Sequence, residues 1–449
     1  MQTPHVFMIG WELPPQNSGG LGVACAGLTR ALTEDGVHID FTLPYEYQGE
    51  TDFINVIDCY HLNESALDSA SSLARRLRRL KKRINHATQP PFSVYVQDNP
   101  DPGLISDWQE LKSLYHERLA QILPNHHQAG VNSSDLLAPF SDMECQVADY
   151  GELVFEAALR KADEFDIVHA HDWMSLPAAI KIKEELDKPM VAHIHSTEFD
   201  RTLSPSFNSY IARAEYEGMR LADKVIAVSY YTKRLLVEKY MIDPYKIEVV
   251  HNGIEQKYEP DLVGVATDFA AHQPVVVFMG RLTMQKGADY FLALADKILT
   301  RRPDALFILA GNGDMYHDLL FRNAYYGLSS SVLFTDFLRG PQRDALLQRA
   351  DVFVMPSVSE PFGLVALEAI QAGAPVVISK NSGVAEVLYD TPAVDFWDID
   401  QLANETLMLI NDQNYHHDLL SRQHAQLKGI TWKKSAKKIK EIYRKLAAA

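Results

Sequence analysis

At 449 residues, with 47% hydrophobic and 23% charged side chains, the chain exceeds one ordinary core of ~100–200 residues and implies two or three globular domains. A formal net charge of −16 argues against a nucleic-acid partner, because phosphate contacts require clustered Lys and Arg. Cys25, Cys59 and Cys145 lie far apart without a CxxC spacing, which excludes a disulfide framework or thiolate metal site and points to a reducing compartment. Met1 to Gly10 carries no basic segment ahead of a long apolar stretch, so no signal peptide is expected. The longest apolar runs, such as Pro274–Met279 and Ala305–Ala310, are of strand length and well short of the ~20 residues that span a bilayer. A soluble, cytoplasmic protein is the expectation.

In chain order, Val6–Ile9, Ile39–Leu43, Ile167–His169, Met190–Ile194 and Val225–Val228 read as buried parallel strands. Helices are predicted over 20–35, 149–163, 175–186 and 208–222. Residues 61–145 break the alternation. Leu73, Leu77, Leu80 and Ile84 line one face of a predicted helix, while Arg75, Arg76, Arg78, Arg79, Lys81, Lys82 and Arg83 fill the others. Trp108, Leu111, Tyr115, Leu119 and Ile122 form a second amphipathic stretch, and the two together predict an inserted helical hairpin. The basic Arg75–Arg83 helix is either a solvated face or a surface for peripheral membrane or glycan contact. Past the polar stretch Gln256–Gln273 the pattern restarts with Val275–Met279, Leu306–Leu309, Val332–Phe334, Val352–Met355 and Pro375–Ile378. The expected fold class is α/β, two Rossmann-like doubly wound parallel-sheet domains with a helical insertion in the first. Domains at 1–258 and 259–431, followed by a basic helix in 432–449, face across a crevice at the carboxyl ends of both sheets.

The densest motif runs from Pro356 to Ala369. A strand is predicted to end at Ser357 and a helix to begin near Pro361, since proline suits a first helical turn. The N–H groups of Gly363 and Leu364 then face the crevice and suit an anion. Glu360 and Glu368 flank that position. Two carboxylates beside phosphate make sense when each accepts hydrogen bonds from hydroxyls, one set on a sugar and one on a ribose. A surface helix capped by glutamate is the bland alternative.

A second cluster, Phe278 to Gly287, follows the first strand of the second domain. Arg281 as a fork and Lys286 as a point charge suit one diphosphate, where preorganised cations stabilise a leaving group that gains charge. The loop Trp11 to Gly22 carries Gly19 and Gly20, which let the backbone approach a ligand closely. His169-Ala170-His171-Asp172-Trp173 and His193-Ile194-His195-Ser196 each end a predicted strand, and alternation pairs His169 with His171 and His193 with His195. Four histidines invite zinc, but no acid or thiol completes a known spacing. Sugar contacts are expected there, and no metal.

Together these motifs resemble the retaining two-Rossmann-domain (GT-B) glycosyltransferases, with their paired glutamates eight positions apart. More narrowly they resemble the glycogen and starch synthase group and its glycosyltransferase family four relatives. The resemblance spans nearly the whole chain except 61–145. It implies that Glu360 contacts the donor sugar, Glu368 the ribose, and Arg281 with Lys286 the diphosphate, usually without a metal. It also implies that His195 lies near the transferred sugar, Asp172 at the acceptor side, and Leu338 beside the nucleobase. Gln16, Asn17 and Ser18 stand where glycogen synthases commonly carry a lysine. The loop His251–Ile254 matches the family's hinge entry, and Asn381–Glu386 a family loop with Ser382 in place of one glycine. The terminal helix is implied to return to the first domain.

The implied activity is transfer of a hexose, glucose by this likeness, from a nucleotide diphosphate sugar to the non-reducing end of an α-glucan with retention. The expected partners are a nucleotide sugar donor and a glycan acceptor, with no cofactor. Two rivals stand beside it: transfer to a lipid-linked or small-sugar acceptor at a membrane surface, and a non-catalytic sugar-nucleotide-binding protein.

Overall fold

The computed structural model describes residues 3–15, 19–59, 142–202, 208–255 and 273–448. They form two sheets in which every strand pairing is parallel. The first holds β1 (His5–Ile9), β2 (His38–Leu43), β3 (Asn55–Asp58), β4 (Ile167–His171), β5 (Met190–Ile194), β6 (Lys224–Ala227) and β7 (Ile247–Val249). The second holds β8 (Val275–Met279), β9 (Leu306–Ala310), β10 (Val332–Thr335), β11 (Val352–Met355), β12 (Val376–Ser379) and β13 (Ala393–Val394). Their orders are β3-β2-β1-β4-β5-β6-β7 and β10-β9-β8-β11-β12-β13. The winding direction therefore reverses between β1 and β4 and again between β8 and β11. In open α/β sheets those reversals open a crevice at the strands' carboxyl ends.

Around the first sheet lie α1 (Gly20–Glu34), α2 (Asp142–Arg160), α3 (Leu176–Leu186), α4 (Ser209–Leu221) and α5 (Tyr230–Tyr240). The second half of the chain adds α6 (Ala288–Leu299), α7 (Tyr316–Tyr325), α8 (Gly340–Arg349), α9 (Leu364–Ala372), α10 (Ile399–Asn411), α11 (Gln413–Leu427) and α12 (Trp432–Leu446). The central strands are covered on both faces: β1, β4, β5 and β11 are buried along almost their whole length. That is why they read as unbroken apolar runs rather than alternating ones.

Several boundaries differ from expectation. The helix expected at 149–163 begins at Asp142. The strand expected to end at His169 continues to His171. The helix expected near Pro361 begins only at Leu364, behind Gly363 at φ 105°, so Pro361 sits in the loop rather than in a first helical turn. β3, β7 and β13 were not foreseen; each lies at a sheet edge, where half-exposed residues leave no long apolar signal. The segment Arg75–Arg83, the stretch Trp108–Ile122 and the junction at 258/259 lie outside the described residues.

Although it is last in sequence, α12 packs on the first sheet. Trp432, Ala436, Ile439, Ile442 and Tyr443 share a core with residues of β1, β2 and α1. A Cβ at Gly27 would run into the Trp432 indole. Ser435 Oγ donates to His251 O at 2.6 Å, and Lys440 pairs with Asp35 at 3.0 Å. Among the described residues no helix is long and apolar enough to cross a membrane.

Candidate active site

The expected site residues follow the carboxyl ends of strands, several of them on the loops that flank the two winding reversals. Gly19 and Gly20 follow β1, Asp172 follows β4 and His195 follows β5. Arg281 and Lys286 follow β8, Leu338 follows β10, and Glu360 follows β11. Gly363, Leu364 and Glu368 lie at the start of α9 and along it.

On the second sheet, the two separate sequence clusters become one structure. Met284–Lys286 forms a single 3-10 turn closed by Gly287 at φ 72°. A side chain at Gly287 would strike the Pro356 carbonyl, so only glycine lets the β8 loop lie against the β11 loop. Gln285 O accepts from Val358 N (2.9 Å) and Ser359 N (3.3 Å). Lys286 Nζ then donates to Glu360 Oε2 at 2.7 Å, and Ser357 Oγ donates to the same oxygen at 3.3 Å. Glu360's backbone is held in turn by the 381–386 loop, with Glu360 N on Asn381 O and Gly383 N on Glu360 O, each at 2.9 Å. Arg281 Nη2 donates to Gln285 Oε1 at 3.1 Å, on the same short loop as Lys286.

The start of α9 has no side-chain cap. Among the described residues, the amides of Gly363 and Leu364 donate to no backbone acceptor, leaving the helix start chemically suited to an anion. A Cβ at Gly363 would stand 2.9 Å from Met355 Cε in a left-handed backbone conformation. One turn on, half-buried Glu368 receives Arg343 Nη1 at 3.1 Å. Arg343, on α8, carried no sequence signal. Leu338 is half-buried beside Phe337, whose half-exposed ring lies 5.4 Å from the Arg339 guanidinium.

On the first sheet, Glu12 stands at the glycine loop and accepts from Gly22 N at 3.2 Å. Burial pushes its carboxyl up, and the Gly22 amide and the positive field of Arg281 pull the other way. Asp172, at φ 57°, directs its carboxylate inward: Oδ1 accepts from His195 N (2.7 Å) and Ser196 N (3.3 Å). Burial raises it to about 7 against those bonds and Arg201. Its visible task is to hold the backbone of His195.

The two halves meet through the next turn. Thr197 caps the helical turn Glu198–Arg201 in a reciprocal box with Asp200. Asp200 Oδ1 in turn accepts from Ser359 Oγ at 2.6 Å, and Tyr231 Oη lies 2.9 Å from the same hydroxyl. Thus the turn after His195 is bonded to the residue beside Glu360. A buried network of Arg201, Glu198 and Glu215 braces it from behind, with Arg201 Nη2 on Glu215 Oε1 at 2.7 Å. Ser229, the cap of α5, donates to Pro361 O at 2.7 Å. Glu386 accepts from Tyr230 N, Tyr231 N and His251 Nε2 at 2.7–2.9 Å.

The four histidines lie on one side of the sheet as a ladder. His169 stacks on His171 (4.6 Å) and His193 on His195 (4.2 Å). Across the strands, His169 Nε2 is 3.2 Å from His193 Nδ1, and His171 Nδ1 is 3.0 Å from His195 Nε2. Tyr443, from α12, meets His169 Nδ1 at 2.5 Å. Burial drives His169 and His195 down to about 3, and His171 and His193 well below the usual imidazole range. All four rings are therefore neutral at physiological pH.

Two doubly wound parallel sheets, each with a winding reversal at its centre, define a GT-B glycosyltransferase architecture. Sucrose-phosphate synthase from Thermosynechococcus elongatus shares this fold, with a TM-score of 0.68 and 17% identity over 99% of each chain. The Glycosyltransferase Family 4 model matches residues 146–258, and the Glycosyl transferases group 1 model matches 266–425. The chain belongs to this family of nucleotide-sugar-dependent glycosyltransferases. It is 28% identical to an uncharacterized glycosyltransferase of Methanocaldococcus jannaschii over 400 residues, 85% of this chain and 82% of that protein. It is 32% identical to glycogen synthase of Mycobacterium tuberculosis over 231 residues, which is 50% of this chain and 54% of that enzyme.

Proposed function

We propose that the protein transfers glucose from a nucleotide diphosphate sugar to the non-reducing end of an α-glucan, with retention of anomeric configuration. The observation that carries the reading is the contact between Lys286 and Glu360 at the reversal of the second sheet, with Arg281 on the same loop and the turn after His195 bonded to Ser359. Cations for a leaving diphosphate, a carboxylate for sugar hydroxyls and an uncharged histidine thereby converge from both sheets. The partial likeness to glycogen synthase supports glucose and a glucan end.

In this reading the acceptor hydroxyl attacks the anomeric carbon from the face that the diphosphate leaves. The new bond joins the acceptor oxygen to the anomeric carbon, and the bond from that carbon to the phosphate oxygen breaks. The acceptor proton passes to a phosphate oxygen. Arg281, Lys286 and the amides of Gly363 and Leu364 stabilise the charge gained by the diphosphate. Glu360 holds sugar hydroxyls, Glu368 the ribose, and Leu338 lines the base. Gly19 and Gly20 admit the donor closely, His195 faces the transferred sugar, and Asp172 fixes His195 at the acceptor side.

The test is a thermal-shift panel of nucleotides and nucleotide sugars, followed by product analysis with the stabilising donor. Glucan extended by an α-linked residue is expected. Product of inverted configuration, seen by NMR, overturns the mechanism. Transfer only to lipid-linked or small-sugar acceptors overturns the glucan assignment, and binding without turnover on any acceptor leaves the non-catalytic reading.

A further inference from the structure

We propose that His169, His171 and His193 form a buried binding site for one transition-metal cation of the zinc, nickel or copper class, where β4 and β5 end. Each ring offers one nitrogen, and the three nitrogens lie within 4.8 Å of one another. His169 Nε2 and His193 Nδ1 are 3.2 Å apart. A tetrahedral zinc site with metal–nitrogen bonds of ~2.0–2.1 Å separates its ligands by ~3.3 Å, so this pair already has the spacing of two ligands on one ion. His171 and His193 are register partners on adjacent strands, which sets the third imidazole beside the other two.

The outer partners suit ligation as well. A ligating imidazole works best when its other nitrogen is tied to a fixed group that sets the tautomer. His169 Nδ1 is tied to Tyr443 Oη and His171 Nδ1 to His195 Nε2. With protons on those two nitrogens, Nε2 of His169 and of His171 both present lone pairs. His171 Nε2, the nitrogen left free to ligate, is buried with no hydrogen-bond partner, a costly state for a polar atom. A donor set made only of imidazole selects zinc, copper or nickel over magnesium, calcium or manganese. The ion ties β4 to β5 and, through Tyr443, to the last helix. It stands apart from the Arg281–Lys286 chemistry and does not depend on the glucan assignment.

The experiment uses the full chain without a polyhistidine tag, stripped with chelator and titrated with Co2+. One equivalent is expected to give the visible absorption of Co2+ held by imidazole nitrogen at low coordination number, displaced by Zn2+. Zn2+, but not Mg2+, is expected to raise the melting temperature and to remain at about one ion per chain after gel filtration. His193→Gln is expected to lower zinc affinity by at least ~10-fold, whereas His317→Gln, at an exposed position, leaves it unchanged. A featureless Co2+ titration with no retained zinc in the wild-type chain overturns the site, whatever the folding of the variants. So does equal zinc binding by wild type and a folded His193→Gln.

Discussion

Glu360 and Lys286 stand 74 positions apart in the chain, yet their side chains meet at 2.7 Å. The motif reading put both at the donor; what it could not show is that they touch each other. A carboxylate gives hydrogen bonds of ~1.5–3 kcal/mol to sugar hydroxyls, against ~1 kcal/mol for the neutral amide that replaces it. The sugar gains positive character as the diphosphate leaves, so the loss falls mainly on the transition state. Glu360→Gln is therefore expected to lower turnover by at least ~10²-fold, the equivalent of ~3 kcal/mol, with little change in calorimetric affinity for the bare nucleoside diphosphate. Glu368→Gln is expected to weaken the bare nucleotide as well, and Arg343→Ala to follow it, because Arg343 holds Glu368 at 3.1 Å. Equal loss of nucleotide affinity in the Glu360 and Glu368 variants contradicts this division. Asp172 is the instructive case among the residues carried by family likeness: its carboxylate is engaged by two backbone amides, a duty no linear motif reveals.

At the scale of elements, most of the proposed site residues sit on short loops after strands, with Leu364 and Glu368 on α9. Glycines decide whether those loops can approach one another. Gly363 holds a left-handed conformation immediately before α9, and a methyl group there meets Met355. Gly363→Ala is expected to destabilise the fold by ~1–3 kcal/mol in urea unfolding and to weaken donor binding by displacing the Leu364 amide. The bond between Asp200 and Ser359 joins the turn after β5 to the loop after β11. Ser359→Ala leaves the buried Asp200 oxygen short of a partner, at a cost of ~1–3 kcal/mol. Turnover is expected to fall while affinity for the bare nucleotide, proposed to sit on the second sheet, stays near wild type; Ser359→Thr, which keeps the hydroxyl, is expected to recover part of it. Unchanged kcat in Ser359→Ala argues against a positioning role.

For the whole molecule, the return of α12 to the first sheet matters most. The chain leaves the first sheet near Ile254, builds the second, and comes back at Thr431, where the two residues form an isolated parallel bridge. Two neighbouring crossings make a natural hinge, and domain closure around both ligands is the expected consequence. Small-angle scattering with donor and acceptor together is expected to show a smaller radius of gyration than the free protein; identical profiles count against closure. Trp432 anchors the return by filling the space over Gly27. Trp432→Ala is expected to cost ~3–5 kcal/mol of stability, measured by denaturant titration, and to loosen the first sheet before the second.

Much was determined by local sequence alone. Long apolar runs mark the central strands because parallel strands are buried on both faces, and glycine, proline and acid clusters mark the loops between them. Those signals placed the two α/β sheets, the terminal helix and the loops at Gly19, Asp172, His195, Arg281 and Glu360. They failed at β3, β7 and β13, where an edge strand needs no apolar run, and at Pro361, where the left-handed Gly363 delays the helix. Only the tertiary structure decided the partners: Lys286 with Glu360, Arg343 with Glu368, Ser359 with Asp200, and four histidines stacked beneath Tyr443. Each of these joins segments distant in sequence, and which polar groups meet there depends on strand order and loop geometry that periodicity does not encode.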